Sequence, residues 1–214
     1  MRNRHLKSRG LSLALAAGLL TVPALALATP TFQHYHVTFT TLNNSGVTGF
    51  ANLELDNSTN MLTVTIDATG LVPNQVHMQH IHGPFNAAGQ PIQATLTDLG
   101  SPLLPLTSPP GLPPTGTYPT ASASGTIDFS ETYNLSDNIY FAGFDESDLL
   151  PLTFRAIMIH GIDVNGQYEP MGMAAAGIIA APEPSSIFDM LAGLGAMLAL
   201  VGFGRRRMRH GKVC

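Results

Sequence analysis

The strongest constraint on the fold is the period-two alternation of apolar and polar residues in the middle of the chain. In segment 61–71, MLTVTIDATGL, leucine, valine and isoleucine alternate with threonine and aspartate. Successive side chains of a β-strand point to opposite faces, so this pattern predicts a strand with one face in a core and the other in water. Segments 34–42 and 48–56 alternate in the same way, and the polar run 56–60 predicts a hairpin turn.

Later parts of the chain extend this β pattern. Four more segments have the composition of short strands: 124–135, 138–144, 152–160 and 172–180. Before them, segment 100–120 contains seven prolines. Proline cannot donate to a β-ladder, so this stretch predicts a loop or an extended edge segment rather than a core strand. The expected fold is an all-β antiparallel sandwich or barrel of about seven or eight strands with Greek-key connections.

Both ends of the chain have the composition of targeting segments. Residues 1–28 begin with four basic residues, continue as an apolar run and end in the A-x-A sequence Ala26 to Ala28, which predicts a cleaved secretory signal peptide. Residues 187–203 are mostly apolar, and as a helix they span about 25 Å, enough to cross a bilayer core. The basic cluster that follows is expected to stay in the cytoplasm, so the body lies across the membrane.

The C-terminal segment 182–214 resembles the PEP-CTERM sorting signal. The matching residues are Pro182, Glu183 and Pro184 before the apolar run and Arg205, Arg206 and Arg207 after it. The resemblance implies recognition by an exosortase, in Gram-negative bacteria that make extracellular polysaccharide. It implies a protein anchored by its C-terminal transmembrane helix at the outer side of the inner membrane before sorting. Afterwards the protein is expected at the cell surface or in the extracellular matrix.

The remaining body, residues 29–181, has the size of one domain and is strongly acidic. It holds twelve aspartates and glutamates against one basic residue, Arg155, which gives a net charge of −11 with neutral histidines. Such a field argues against nucleic acid or an anionic polysaccharide as a direct partner, and it attracts cations. The only cysteine, Cys214, lies in the tail. The body is therefore held by its core, or by a core and a metal.

Three of the eight histidines lie in segment 76–86, VHMQHIHGPFN. In a strand His80 and His82 share a face, which brings two imidazoles within reach of one copper or zinc ion. A pair is not a complete site, and His160, at the end of a later candidate strand, is the natural third ligand. His77 points to the other face and is expected to have a structural, hydrogen-bonding role within the sheet.

Two interpretations of this group stay open. In the first, the histidines are structural and fix the strand end and the turn that follows. In the second, His80, His82 and His160 hold a metal, which requires a ring nitrogen of His160 within about 7 Å of the other rings. The pair His34 and His36 has no further support. Four methionines are candidate thioether ligands or, more commonly, core filler: Met78, Met158, Met171 and Met173. No catalytic residues are predicted, because no nucleophile elbow, reactive cysteine or HExxH motif appears.

Much of the body resembles the CHRD domain, named after chordin. The alternating strand that ends in Gly70-Leu71, followed by HIHGP at 80–84, matches the family pattern closely. The segments IMIH at 157–160 and AAAGII at 174–179 fit its last strands. The resemblance covers roughly residues 34–180 apart from the proline-rich stretch. It implies a β-rich module of an exported protein, and the function expected is a non-catalytic binding or structural role in the envelope or the polysaccharide matrix.

A weaker similarity is to copper/zinc superoxide dismutase, itself a Greek-key sandwich. Segment 70–82 is similar to the strand that leads to that family's His-x-His copper pair, His77 to a structural histidine and His160 to a further copper ligand. The metal-bridging histidine is missing from segment 83–91, and the zinc ligands and disulfide cysteines are absent. Met173 stands near the position of the arginine that guides superoxide. This similarity implies, as the alternative function, a copper-binding or redox protein in which efficient dismutation is not expected.

Overall fold

Two packed antiparallel β-sheets with very little helix form the body of the protein. The computed structural model describes residues 31–180. The strands are β1 Phe32–Thr38, β2 Thr40–Thr41, β3 Thr48–Asp56, β4 Met61–Thr69, β5 Gln79–Gly83, β6 Ser101–Pro105, β7 Thr126–Asn134, β8 Ala156–Val164 and β9 Gln167–Ile178. The helical turns are α1 Glu146–Leu149 and a 3-10 helix Leu152–Phe154. The expected all-β sandwich with antiparallel sheets is confirmed.

The strand order divides the chain between a four-stranded and a five-stranded sheet. The first has the order β1-β3-β4-β7 and the second the order β2-β9-β8-β5-β6. The chain changes sheet directly after β1, because Phe39 separates β1 from β2. After β4 it crosses to the second sheet for β5 and β6, and it returns to the first for β7. The inner strands β8 and β5 of the second sheet are therefore distant in sequence and adjacent in space.

The alternation along β4 places its apolar residues in the core between the sheets. Leu62, Val64 and Ile66 are fully buried, and each such burial stabilises the fold by about 1.5–3 kcal/mol. Their neighbours on β4 include Thr63, whose hydroxyl lies 2.9 Å from that of Thr132 on β7 on the outer face. The period-two pattern therefore predicts this sheet correctly.

Two strand predictions were wrong in the second half of the chain. Segment 138–144 forms turns rather than a strand. Its adjacent residues Ile139 and Tyr140 are both buried in the same core, which a strand cannot achieve because it alternates its faces. The strand expected at 152–160 begins only at Ala156, after the 3-10 helix.

The proline-rich segment 100–120 contains one strand, β6, which corrects the expectation of a loop without strands. This strand lies at the edge of its sheet and pairs with β5 alone. Its residues Pro102 and Pro105 are tolerated because an edge strand needs N–H donors on only one side. The expectation of an extended edge segment was thus closer to the structure than that of a loop.

Arg155, the only basic residue among residues 31–180, is completely buried. Its side chain donates to the backbone carbonyl oxygens of Leu149 at 3.0 Å, of Phe154 at 3.3 Å and of Asp148. The guanidinium therefore ties the end of α1 to the start of β8. It has no exposed surface with which to attract an anion.

Gly83 of the HIHGP sequence packs directly against this arginine. A Cβ atom at Gly83 would lie 2.6 Å from the Cδ of Arg155, too close for any real contact. The guanidinium carbon also lies 5.4 Å from the ring centre of Phe85, within the range of a cation–π contact. The strand end after the histidine pair is thus fixed by close packing on Arg155.

Replacing Arg155 with methionine is expected to lower the free energy of unfolding by about 3–5 kcal/mol. The carbonyl groups of Leu149 and Asp148 lose their donor, and that of Phe154 keeps only the N–H of Ala94. Urea unfolding followed by tyrosine fluorescence and circular dichroism measures this loss. Glu54→Gln, on the exposed face of β3, is the control and should change the same quantity by less than about 0.5 kcal/mol. Equal effects of the two substitutions would contradict the structural role of Arg155.

No helix within residues 31–180 has the length and hydrophobicity needed to cross a membrane. The predicted signal peptide at 1–28 and the predicted sorting segment at 182–214, with its transmembrane helix, lie outside the described residues. Both stay predictions from sequence.

Candidate metal centre

His80, His82 and His160 come together on one face of the five-stranded sheet. His80 and His82 lie on β5 and His160 on the adjacent β8. The residue between the pair, Ile81, points into the main core, so the histidines point away from the other sheet. One nitrogen atom from each of the three rings lies within 4.8 Å of the corresponding atoms of the other two. The distance required for a shared site is therefore met.

A bulge in β8 accompanies the position of His160. The pairing of β8 with β9 changes register on both sides of His160, and bulges of this kind redirect side chains. The next residue, Gly161, has φ +98°, and a Cβ atom there would lie 2.7 Å from Nδ1 of His77. Only glycine satisfies both the backbone conformation and the close approach at this position.

The three rings pack against one another and are largely shielded from solvent. The ring centres of His80 and His160 are 5.3 Å apart, those of His80 and His82 5.6 Å, and those of His82 and His160 6.1 Å. The exposed fractions are 6%, 5% and 7% for His80, His82 and His160. This is an enclosed cluster rather than a surface patch.

Each ring uses one nitrogen in a hydrogen bond and leaves the other free. Nδ1 of His82 lies 3.2 Å from the carbonyl oxygen of Gly100, and Nδ1 of His160 lies 3.2 Å from that of Met171. A carbonyl oxygen only accepts, so in both rings Nδ1 carries the proton and Nε2 keeps a lone pair. In His80 it is Nε2 that is occupied, 2.7 Å from the hydroxyl of Tyr118.

The remaining nitrogens, Nδ1 of His80 and Nε2 of His82 and His160, are buried and have no hydrogen-bond partner. Buried polar atoms are nearly always paired, so three unpaired atoms in one cluster need an explanation. Nitrogens bound to one metal at about 2.0 Å stand about 3.3–3.5 Å apart. Because one nitrogen of each ring already lies within 4.8 Å of the others, a modest inward shift of the rings would reach that spacing, and the cluster could hold a metal ion.

Burial keeps all three rings in the neutral form that metals bind. Burial first, and then the positive charges that His160 and His82 would carry, lower the pKa of His80 to about 3. Burial lowers the pKa of His82 to about 4, against a smaller opposing effect of its bond to Gly100. The pKa of His160 is also lowered by burial, with its bond to Met171 opposing.

Two aromatic rings pack against the ring of His80 and help to shield it from solvent. Phe141 and Tyr118 meet the His80 ring edge-on, with ring centres 5.2 Å and 5.3 Å away. Tyr118 comes from the proline-rich segment, of which it is the only aromatic residue. Sequence reasoning missed these two residues and the carbonyl groups of Gly100 and Met171. No spacing pattern marks them, because they reach the cluster from loops or through the backbone.

His77 lies behind the cluster and contributes no atom to it. It is fully buried, and its Nδ1 lies 2.7 Å from the carbonyl oxygen of His160 while its Nε2 lies 3.1 Å from that of Val72. The ring meets Tyr168 edge-on at 5.7 Å. His77 therefore links the backbone that carries His160 to the segment before β5.

His34 and His36 lie far from the cluster, on the outer face of the four-stranded sheet. Nδ1 of His34 is 3.3 Å from a carboxylate oxygen of Glu54, and Nδ1 of His36 is 2.9 Å from the side-chain oxygen of Asn52. Both rings face solvent. This second His-x-His pair has the same spacing as the first, but it is exposed, and no third histidine within residues 31–180 joins it.

Comparison with protein-family models gives no match for this chain, and comparison with curated proteins gives none either. The resemblances to the CHRD domain, to the PEP-CTERM signal and to copper/zinc superoxide dismutase therefore stay predictions. The metal centre is supported by its geometry alone.

The lowered pKa values predict that the metal-free protein loses stability in mild acid. In the unfolded chain histidine titrates near pH 6.5, whereas the folded values are about 3 for His80 and about 4 for His82. As the pH falls below 6.5, the unfolded chain takes up protons that the folded protein does not. This contribution to stability is complete above pH 6.5 and is lost as the pH falls from there towards the folded pKa values.

For His80 and His82 together, we expect the free energy of unfolding to fall by about 4 kcal/mol between pH 7 and pH 5. Urea unfolding of chelator-treated protein at several pH values measures the slope. The double variant His80→Gln/His82→Gln should show a much shallower slope, and His34→Gln/His36→Gln should keep that of the wild type. A wild-type slope in the first variant would show that these rings are not buried in the neutral form.

Proposed function

We propose that the body of this protein is a non-catalytic copper-binding module, with His80, His82 and His160 as ligands. The observation that carries the proposal is that three histidines each bring one ring nitrogen within 4.8 Å of the others and each keep one buried ring nitrogen without a hydrogen-bond partner. A purely structural cluster would satisfy these atoms with protein donors, because an unpaired buried polar atom costs about 1–3 kcal/mol.

Copper is favoured by the donor set. The cluster offers three neutral imidazoles and contains no cysteine or carboxylate, and imidazole is a ligand type that suits copper. Each ligand ring is oriented through its second nitrogen by a carbonyl or hydroxyl oxygen. Ligand histidines in metalloproteins are commonly held in this way. Zinc is the competing ion, and titration separates the two.

The cellular setting is proposed from the sequence alone. The signal-peptide pattern and the PEP-CTERM resemblance support export, an interaction with an exosortase, and retention at the cell surface or in the polysaccharide matrix. The CHRD resemblance supports a binding or structural role there. A copper-binding module at the cell surface or in the matrix would take up or buffer copper outside the cytoplasm.

Titration of the full-length protein with Cu(I) under anaerobic conditions, with Cu(II) and with Zn(II), each measured by calorimetry, tests the proposal directly. We expect one equivalent of copper to bind, with zinc weaker. The variant His80→Gln/His82→Gln should lose this binding, because two of three ligands are gone. His34→Gln/His36→Gln is the matched control, since it removes a pair with the same spacing from the other sheet.

Copper binding that survives in the first variant, or disappears equally in both, would reject the assignment of the ligands. Absence of tight binding in the wild type would make the three histidines structural. In that case the surface-module interpretation would stand without a metal.

Superoxide chemistry at this site is expected to be slow for electrostatic reasons. The only basic residue of the body, Arg155, is buried, and the residue paired with His160 across β8 and β9 is Met173. The copper-loaded protein should therefore consume superoxide faster as salt is added, because salt screens the repulsion between an acidic protein and an anion.

Introducing a cation beside the site should reverse this behaviour. The variant Met173→Arg is expected to raise the superoxide rate by about tenfold at low salt, and added salt should then lower it. Met171→Gln, a neutral change at an exposed neighbouring position, is the control. Rapid consumption by the wild type that falls with salt would contradict the non-catalytic assignment.

A further inference from the structure

The cluster differs from an open catalytic site in its charge, its closure and its orientation. Resting on the proposed copper function, we infer that the centre is selective for monovalent copper over Cu(II) and Zn(II). We further infer that Tyr118 is a positioning residue that orients His80 and closes the centre.

The charge of the ligands favours a monovalent ion. The three ligands are neutral, and the cluster contains no carboxylate or thiolate. The cost of burying an ion without a counter-charge rises with the square of its charge. A divalent ion would therefore meet about four times the burial cost that Cu(I) meets here.

The number of ligands points in the same direction. Three imidazoles suit a three-coordinate Cu(I) ion, whereas Zn(II) takes four ligands in a tetrahedron and Cu(II) a tetragonal arrangement. The cluster offers no further nitrogen, thiolate or carboxylate, so the fourth ligand that a divalent ion prefers would have to be water. The free nitrogens are shut off from solvent, and Phe141 and Tyr118 cover the His80 ring. The enclosure of the cluster therefore disfavours Zn(II) and Cu(II), which would need a water molecule as a further ligand.

A methionine on the same sheet face offers a thioether, a ligand that soft metal ions prefer. Met158 on β8 pairs with His80 on β5 and is almost fully buried. Residues paired across an antiparallel ladder project from the same face, so this thioether lies beside the ligand ring. Thioether sulfur is a ligand that selects Cu(I). The sequence marks Met158 only as a candidate, and the strand register places it on the ligand face.

Tyr118 determines which nitrogen of His80 is free. Its hydroxyl lies 2.7 Å from Nε2 of His80, and the free atom is Nδ1. Metal binding through Nδ1 requires the ring proton on Nε2, where the oxygen of Tyr118 accepts it.

Anaerobic competition titrations of the full-length protein test the selectivity. Cu(I) is offered against a chromophoric Cu(I) chelator, and Cu(II) and Zn(II) are offered against chelators of known affinity. We expect Cu(I) to bind at least about 100-fold more tightly than Zn(II) or Cu(II), as an uncompensated divalent charge predicts. Equal or tighter binding of either divalent ion would overturn the selectivity while leaving the metal-binding function intact. Absence of binding by all three ions would reject both proposals.

A tyrosine-to-phenylalanine pair tests the role of Tyr118. Tyr118→Phe keeps the covering ring and removes the hydroxyl, and we expect Cu(I) affinity to fall about tenfold, as for loss of an outer hydrogen bond to a ligand. Tyr35→Phe makes the same change on the four-stranded sheet, where the hydroxyl bonds to Gln33, and should leave affinity unchanged.

A second readout separates positioning from general stability. Nitrogen-15 NMR of the metal-free protein should show the His80 proton on Nε2 in the wild type and in Tyr35→Phe, and a mixture of tautomers in Tyr118→Phe. If Tyr118→Phe keeps both the wild-type affinity and the wild-type tautomer, Tyr118 is not a positioning residue. An equal loss in both variants would also overturn the assignment, because it would reflect stability alone.

Discussion

The antiparallel pairing of β5 with β8 is the interaction on which both the core and the histidine centre depend. On one face it places Ile81 opposite Ile157 in the main core. On the other face it places His80 opposite Met158, with His160 two residues further along β8. A register shift of one residue would turn every side chain of the strand to the opposite face. The core therefore fixes the position of the ligands, since the same pairing serves both.

The region after β5 is held by packing that leaves no room for ordinary side chains. Gly83 lies against Arg155, and a Cβ atom at Gly100 would lie 2.2 Å from the backbone nitrogen of Pro84. Gly100 in turn supplies the carbonyl oxygen that orients His82. The glycine and proline of HIHGP are thus explained by the backbone that supports the second ligand. The buried arginine connects this support to the start of the strand that carries His160.

The parts of the fold that follow from the sequence are those governed by local periodicity. The alternation in β4 reports directly which face is buried, and the spacing of His80 and His82 reports that they share a face. His160 was named as a partner by its place at the end of an apolar strand and by the similarity to copper/zinc superoxide dismutase, not by any local spacing. Its distance from the pair depends on strand order, which a single sequence does not encode in any local pattern.

The residues missed from the sequence act through loops or through the backbone. Tyr118 lies in a proline-rich segment without alternation, and its contact with His80 depends on where that loop crosses the sheet. The backbone carbonyl of residue 171 orients His160, and it would do so whatever side chain stood at that position. Segment 138–144 buries consecutive apolar residues in turns, so composition there resembles a strand while the backbone is not one. In each case tertiary packing overrides the local signal.

The three buried histidines carry a cost in stability when no metal is bound. Three buried ring nitrogens without partners lower stability, each by about 1–3 kcal/mol, although a solvated or apolar face would avoid the loss. A bound ion satisfies all three at once, and its binding free energy adds to the stability of the folded state. The same burial that makes the metal-free protein acid-sensitive keeps the imidazoles neutral and free of competing protons. The same arrangement would therefore lower the stability of the metal-free protein and raise its affinity for the ion.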